Sequence, residues 1–303
     1  MSELRPPGDE VTVIAVTFAP GDSLGTFLDS LLSASAGGPP QVVLADNGEG
    51  EQLDPVVAAA AEERPWVRVV RTGANLGYGS AVNIAAATVE SEFIVVANPD
   101  VVWSPGSLDV LLAAARRWPQ AGSFGPRILT EGGDVYPSAR ALPSLGRGIG
   151  HAICGWWWPS NPWTTSYRNE RRALGETPVG WLSGACLLLR RSAFHSIGGF
   201  DQQYFMYFED VDLGDRLGRA GWQNVFIPEA EVTHIGAHAT SRDPARMATE
   251  HHRSAWVYLS GRYSGWRWAP VRLVLHTGLL LRSALSRRAP SIAAGARPNK
   301  PGK

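Results

Sequence analysis

The chain has 303 residues, 44% of them hydrophobic and 18% charged, enough for one large domain or one domain with an extension. Its 28 basic and 28 acidic side chains give a formal net charge of zero. No global positive field therefore argues for nucleic acid as a partner.

In chain order, residues 1–10 carry Pro6, Pro7 and acidic residues but no apolar run, so they read as a disordered N-terminus and not as a secretory signal. Val11–Phe18 is a β-branched strand ended by Pro20-Gly21. Asp22 or Ser23 is placed to cap the next helix, with Leu24, Phe27, Leu28, Leu31 and Leu32 on one face. Gln41–Ala45 is a strand closed by Asp46-Asn47-Gly48, Pro55–Glu63 a helix, and Val67–Arg71 a strand. Gly77–Val89 is an Ala-rich helix, Phe93–Ala97 a strand, and Pro105–Trp118 a helix. This alternation predicts an α/β fold with a mostly parallel sheet and helices on its faces. Ligands of such sheets bind beyond the carboxyl ends of the strands, where Asp46 and Asp100 fall.

The second half is less regular. Residues 140–176 combine Pro and Gly with Trp156, Trp157, Trp158 and Trp163, and read as a long functional loop, since disordered segments are poor in aromatics. Val179–Leu189 reads as a buried strand holding Cys186 as a buried thiol. Neither Cys154 nor Cys186 has metal or redox spacing, which suits a reducing compartment. Ser192–Ile197 and Glu209–Ala220 are helices, and Val225–Ile227 and Val232–Ile235 short strands. Residues 246 to 288 read as helical, and the Pro-, Gly- and Ala-rich tail 290–303 as disordered. No apolar stretch reaches the ~20 residues of a membrane span.

Chemistry concentrates in Phe205-Met206-Tyr207-Phe208-Glu209-Asp210-Val211-Asp212-Leu213, three carboxylates in four positions between apolar residues. One reading is a helix N-terminus, where the dipole favours negative charge. The other joins it to Asn98-Pro99-Asp100 and His234, each closing an apolar run, as a base and a metal site at one sheet edge. Asp46 either opens an Asx-turn before Gly48 or accepts hydrogen bonds from a ligand. Asn75 and Gly77 either form a turn or line a ligand. Glycines there do not make a dinucleotide fingerprint, because position 82 is Val. Asp212 and Arg216, one helical turn apart, are placed to pair.

The ordered set Val16-Thr17-Phe18, Asp46-Asn47-Gly48, Asn75-Leu76-Gly77-Tyr78-Gly79 with Asn83, Asn98-Pro99-Asp100, Ser183-Gly184-Ala185, Gly198-Gly199-Phe200-Asp201 and Phe205 through Arg216 resembles the family 2 glycosyltransferases. The resemblance implies a GT-A fold over residues 11–240 and inverting sugar transfer from a nucleotide-sugar donor. It implies Asp210 as general base with Glu209 beside it. The donor would meet Thr17, Asp46, Asn75, Gly77, Asn83, Asn98 and Asp100. The acceptor would meet Trp181, Gly184, Glu209 and Arg253. Asn98-Pro99-Asp100 resembles the family's DxD motif with Asn in the first place. That substitution leaves Asp100, with His234, as ligands for Mg²⁺ or Mn²⁺. Within the family the chain looks most like bacterial rhamnosyltransferases. That implies dTDP-L-rhamnose as donor and a polyprenyl-diphosphate-linked sugar as acceptor, in particular N-acetylglucosaminyl-diphospho-decaprenol in cell-wall linker synthesis. UDP-galactofuranose, GDP-mannose, or a binding protein without catalysis are the alternatives.

Residues 241–289 add Trp266, Trp268 and many arginines to an apolar helical face of Val271, Val274, Leu275, Leu279 and Leu285. A basic amphipathic helix reads as membrane-surface binding on the cytoplasmic face, with Arg253 and Arg262 placed for a lipid diphosphate. The alternative is an ordinary helix packed on the domain.

Overall fold

The structure, a computed structural model, describes residues 10–143, 175–236 and 244–288. Cys154 and most of the Trp-rich loop lie outside the described residues, as do the two termini. The first half follows the predicted alternation: β1 (Val11–Thr17), α1 (Ser23–Ala34), β2 (Gln41–Asp46), α2 (Pro55–Glu63), β3 (Val67–Arg71), α3 (Tyr78–Ala86) and β4 (Phe93–Ala97). Every residue of β4 is buried, as a parallel strand covered on both faces requires. Alternate side chains feed two cores. Val13, Ala15 and Val95 pack with Leu24, Leu28, Leu108 and Leu111 on one face. Ile14, Val43 and Val96 pack with Ala81, Val82 and Phe194 on the other. Leu32, expected inward, is 53% exposed. Neither expected cap forms on α1, because the Ser23 hydroxyl donates back to the Pro20 carbonyl at 2.8 Å and Asp22 makes no side-chain bond.

Beyond β4 come β5 (Val101–Trp103), α4 (Ser107–Arg117), β6 (Ala121–Thr130), β7 (Val135–Tyr136), β8 (Ala139–Arg140), β9 (Thr177–Val179), β10 (Trp181–Leu182) and β11 (Cys186–Arg190). Then follow α5 (Arg191–Ser196), α6 (Glu209–Arg219), β12 (Gln223–His234), α7 (Pro244–Arg262) and α8 (Ala269–Arg288). The main sheet runs β3-β2-β1-β4-β11-β6-β12-β5, with β7 beside β6 and β9 beside β12. β11 is antiparallel to β4 and β6, and β5 is antiparallel to β12.

Three departures from the sequence reading have local causes. β6 carries no strand signal because it contains Gly122, Gly125 and Pro126. A Cβ at Gly122 would lie 2.9 Å from the Ala193 Cβ and 3.0 Å from the Trp222 Cβ, so the missing side chain lets the helical layer close on the sheet. The expected strand over residues 179–189 is broken at Ser183–Ala185. The two expected strands over residues 225–235 are one, β12, whose pairing with β6 slips between Ile227 and Glu231.

The topology gathers one edge. β1, β2, β4 and β12 end there, while β11 and β5 begin there. Register puts Thr17 beside Asp46, Cys186 beside Ala97, and Val101 beside His234.

Candidate active site

At the centre of that edge, Asn98-Pro99-Asp100 is a turn, closed by the Val101 N–H donating to the Asn98 carbonyl at 3.2 Å. Its two polar side chains converge on His234. Asn98 Nδ2 lies 3.2 Å from His234 Nε2, which makes that nitrogen the acceptor. Asp100 Oδ1 lies 3.0 Å from the same nitrogen. That approach lacks hydrogen-bond alignment, and Asp100 Oδ1 is buried with no hydrogen-bond partner. Two lone-pair atoms facing each other are repulsive unless a cation or proton lies between them. Adjacent ligands of an octahedral ion with bonds of about 2.1 Å stand about 3 Å apart. A cation bound at Nε2 would take its one lone pair from Asn98, and the 3.0 Å spacing to Asp100 then fits a divalent ion held by the pair. Among the described residues no group of three or more His, Cys, Asp or Glu side chains converges, so protein groups of these types would supply only part of a shell.

Toward β1 and β2, Asp46 is buried. Its Oδ1 accepts from the Gly48 N–H at 3.3 Å, so the Asx-turn exists. Its Oδ2 has no hydrogen-bond partner and stands 3.5 Å from Arg71 Nε. The hydroxyl of the neighbouring Thr17 is likewise buried and unpartnered. Asn75, Gly77 and Asn83 have different surroundings. Asn75 Oδ1 accepts from Asn47 Nδ2 at 3.1 Å and from the Gly77 N–H at 3.3 Å. Asn83 holds both polar groups of Phe200, its Oδ1 accepting from the N–H at 2.9 Å and its Nδ2 donating to the carbonyl at 2.8 Å. Gly77 has φ +85°, and a Cβ there would sit 2.3 Å from the Phe205 carbonyl oxygen. These residues tie the loop after β3 to the segment that precedes Glu209.

That segment is strained. Tyr207 and Phe208 both have φ +66°, a left-handed conformation that costs roughly 1–3 kcal/mol at each non-glycine position. The turn delivers Glu209 and Asp210 to the N-terminus of α6. Asp210 Oδ2 accepts from the Gly184 N–H at 2.9 Å and Oδ1 from the Val211 N–H at 2.8 Å. Protein surrounds the Asp210 carboxylate, yet the residue is only partly buried and keeps a solvent-accessible face. Burial raises its pKa, opposed by those N–H groups and by the charge of Arg140. Glu209 is 8% exposed, and its Oε2 has no partner. Burial, then the charge of Asp210, pushes Glu209 up to about 8. Burial thus raises both carboxyls of the pair, Glu209 further through the neighbouring charge, while the two N–H groups hold Asp210 back. Tyr78 lies among these groups. Its hydroxyl donates to the Gly184 carbonyl at 2.8 Å. Burial, then the charges of Glu209, Cys186, Asp210 and Asp100, holds its phenol well above 10.

Trp181 packs its Cβ against Gly214 of α6, donates its indole N–H to the Ala141 carbonyl at 3.2 Å, and lies under the Arg140 guanidinium. Asp212 and Arg216 pair at 2.6 Å, and Arg216 also holds the Ile197 and Gly199 carbonyls. Arg253 is exposed on α7, 3.6 Å from Glu250. Arg262 is turned inward, 2.7 Å from the buried carboxylate of Asp215, and Arg272 donates to the Tyr263 and Gly265 carbonyls. Both are packing residues in this fold.

The mostly parallel sheet, with Asp46 and Asp100 at the carboxyl ends of its strands, is a GT-A-like fold, and the comparisons agree. The family model described as glycosyltransferase like family 2 matches residues 6–258, and the chain belongs to the family 2 glycosyltransferases. It is 54% identical over 288 residues to the N-acetylglucosaminyl-diphospho-decaprenol L-rhamnosyltransferase of Mycobacterium tuberculosis, across 91% of this chain and 92% of that one. It is 28% identical over 197 residues to the rhamnosyltransferase WbbL of Escherichia coli K12, across 62% of this chain and 72% of that one. Among solved structures, GalNAc-T7 with UDP, GalNAc and Mn2+ matches with a TM-score of 0.54 at 14% identity, over 76% of this chain and 44% of that chain.

Sequence reasoning assigned no role to Tyr78, Asn47 or Arg140. Tyr78 stood inside a quoted motif, and its use became visible only once Gly184 lay beside it. For Glu209 a pH effect follows. Its carboxyl is held above its unfolded value of about 4.3. Between that value and about 8 the native state keeps a proton that the unfolded chain has released. Its contribution to stability therefore falls as pH rises through this window, by up to about 1.4 kcal/mol per pH unit, and is level above it. Glu209→Gln removes this slope. The melting temperature of the variant relative to wild type should rise from pH 5 to pH 8. A constant difference across that range would show that Glu209 ionises normally.

Proposed function

We propose that this glycosyltransferase moves L-rhamnose from dTDP-L-rhamnose to N-acetylglucosaminyl-diphospho-decaprenol, with inversion at the anomeric carbon. The likeness to the mycobacterial rhamnosyltransferase over nearly the full length of both chains supports the substrates. The observation that carries the chemistry is Asp210, a carboxylate fixed by two backbone N–H groups at the start of α6.

Those N–H bonds favour the ionised form of Asp210 and oppose the burial that raises its pKa. Asp210 accepts the proton of the acceptor hydroxyl as that oxygen bonds to the anomeric carbon. The bond from that carbon to the diphosphate oxygen breaks, and the nucleoside diphosphate leaves with its electron pair. Tyr78, by holding the Gly184 carbonyl, fixes the N–H that aims Asp210. Thr17 and Asp46 offer oxygens without hydrogen-bond partners to the donor's nucleoside, and Asn98, which faces His234, borders the same edge. Asn75, Gly77 and Asn83 shape the loop against which the donor lies. Trp181 and Gly184 border the acceptor. Asp100 and His234 would hold Mg²⁺ or Mn²⁺, which when bound stabilises charge on the leaving diphosphate.

Asp210→Asn should keep dTDP affinity but lower kcat by about 10²–10⁴. Near-normal turnover would move the base to another group. A panel of dTDP-, UDP- and GDP-sugars with the same acceptor decides the donor, and turnover of UDP-galactofuranose or GDP-mannose alone would replace the rhamnose reading. Chelation by EDTA should abolish transfer, with recovery on adding Mg²⁺ or Mn²⁺, and Asp100→Ala should lower metal affinity measured directly by titration. Full activity in chelator together with unchanged metal binding in Asp100→Ala would remove the ion from the mechanism.

We also propose that α8 and the turn before it lie on the membrane that carries the acceptor, at the inner face of the plasma membrane. Among the described residues no helix is long and apolar enough to cross one. Trp266 is 82%, Leu273 67% and Val274 72% exposed, an apolar patch beside Arg267 and suited to the interface. Because Arg262 and Arg272 are held internally, insertion of this patch contributes more than their charge. The triple variant Trp266→Ser, Leu273→Ser, Val274→Ser should bind anionic liposomes at least about tenfold more weakly in flotation. Flotation equal to wild type would leave the patch without a membrane role.

A further inference from the structure

The Tyr207–Phe208 turn cannot hold itself. Two successive bulky residues in the left-handed region persist only where their surroundings over-determine them. One side of the turn is fixed by the loop after β3, through the Tyr78 N–H donating to the Phe205 carbonyl at 3.0 Å. The contacts on its other side come from α7. The Ser254 hydroxyl, in a residue only 2% exposed, donates to the Met206 carbonyl at 2.9 Å. The His251 ring meets Tyr207 and Phe208 edge-on, each at 5.5 Å between centroids. Tyr258 packs on Phe208 at 5.8 Å, and its hydroxyl reaches Asp215 of α6 at 3.3 Å. Arg262 pairs with that carboxylate at 2.7 Å. Positions 251, 254, 258 and 262 recur at helical spacing, so one face of α7 grips both the turn and the body of α6.

We propose that α7 belongs to the catalytic machinery, with Ser254 and His251 as positioning residues that hold the Tyr207–Phe208 turn and so aim the carboxylate of Asp210. The inference rests on the reading of Asp210 as the base. It gives the helix a task separate from membrane contact, because Ser254 and Tyr258 are buried against the turn and α6.

The test uses full-length protein with a soluble short-chain acceptor, so that membrane recruitment plays no part. Ser254→Ala and His251→Ala should each lower kcat by about tenfold or more, as small misplacements of a reacting group do. Donor KM and dTDP affinity should stay within about twofold of wild type. His251→Phe, which keeps a ring, should recover most of the kcat lost in His251→Ala. If Ser254→Ala does not fold, Arg262→Gln makes the same test, since Asp215 keeps Arg219 at 2.8 Å as partner. Unchanged kcat in folded variants overturns the proposal. So does a parallel loss of kcat and dTDP affinity with no rescue by His251→Phe. Absence of transfer from dTDP-L-rhamnose by the wild type breaks the donor assignment instead, and the comparison is then made with the donor that the panel identifies.

Discussion

Tyr207 and Phe208 occupy backbone conformations that neither residue prefers, and the position of Asp210 depends on their doing so. A relaxed turn would rotate the start of α6 and withdraw Asp210 from the Gly184 N–H. The fold meets this constraint with contacts from distant parts of the chain. Gly77 lacks the Cβ that would strike Phe205, Tyr78 bonds the same carbonyl, and α7 closes from the opposite side. Strain beside Asp210 is thus offset by packing from distant parts of the chain.

The sheet edge supplies a second constraint of the opposite kind. At Asp100, His234, Asp46 and Thr17 the protein gathers acceptor atoms and leaves some of them unpartnered. A buried oxygen without a partner costs on the order of 1–3 kcal/mol, so an edge carrying several is less stable alone than with something bound. The same edge contains satisfied groups. Asn47, Asn75 and Asn83 use their amides within the scaffold. The contrast separates side chains that wait for a ligand from those that shape its surroundings.

The C-terminal helices divide their work by face. α7 buries Ser254, Ala255 and Tyr258 against the catalytic layer, while the following turn and α8 expose Trp266, Leu273 and Val274. An acceptor with a lipid tail would meet the exposed part, and its reacting hydroxyl would meet groups aimed by the buried part. Both lie in one continuous stretch of chain, so the exposed apolar patch is mechanically joined to the turn that positions Asp210.

The sequence by itself determined the alternating first half, since long β-branched runs and amphipathic helices carry their periodicity locally. β3, α2 and β4 lie where the pattern put them. It also determined the set of ordered motifs, and with it the family. It missed β6, whose Gly122 makes room for the helical layer and whose Gly125 makes room for Leu182 of β10, so that neither carries a strand signal. It left Asp46 and Asn98-Pro99-Asp100 open between turn and ligand site, and the folded chain shows that both are turns with an oxygen left over. It counted Arg262 among surface cations, whereas its partner Asp215 lies forty-seven residues away in sequence and could not be paired by spacing. Only the tertiary structure decided how far each of two adjacent carboxyls is raised, because that depends on burial and on N–H groups from the Gly184 turn and from α6. Local patterns fix which elements form; the charge and aim of a side chain are set by whatever the fold brings against it.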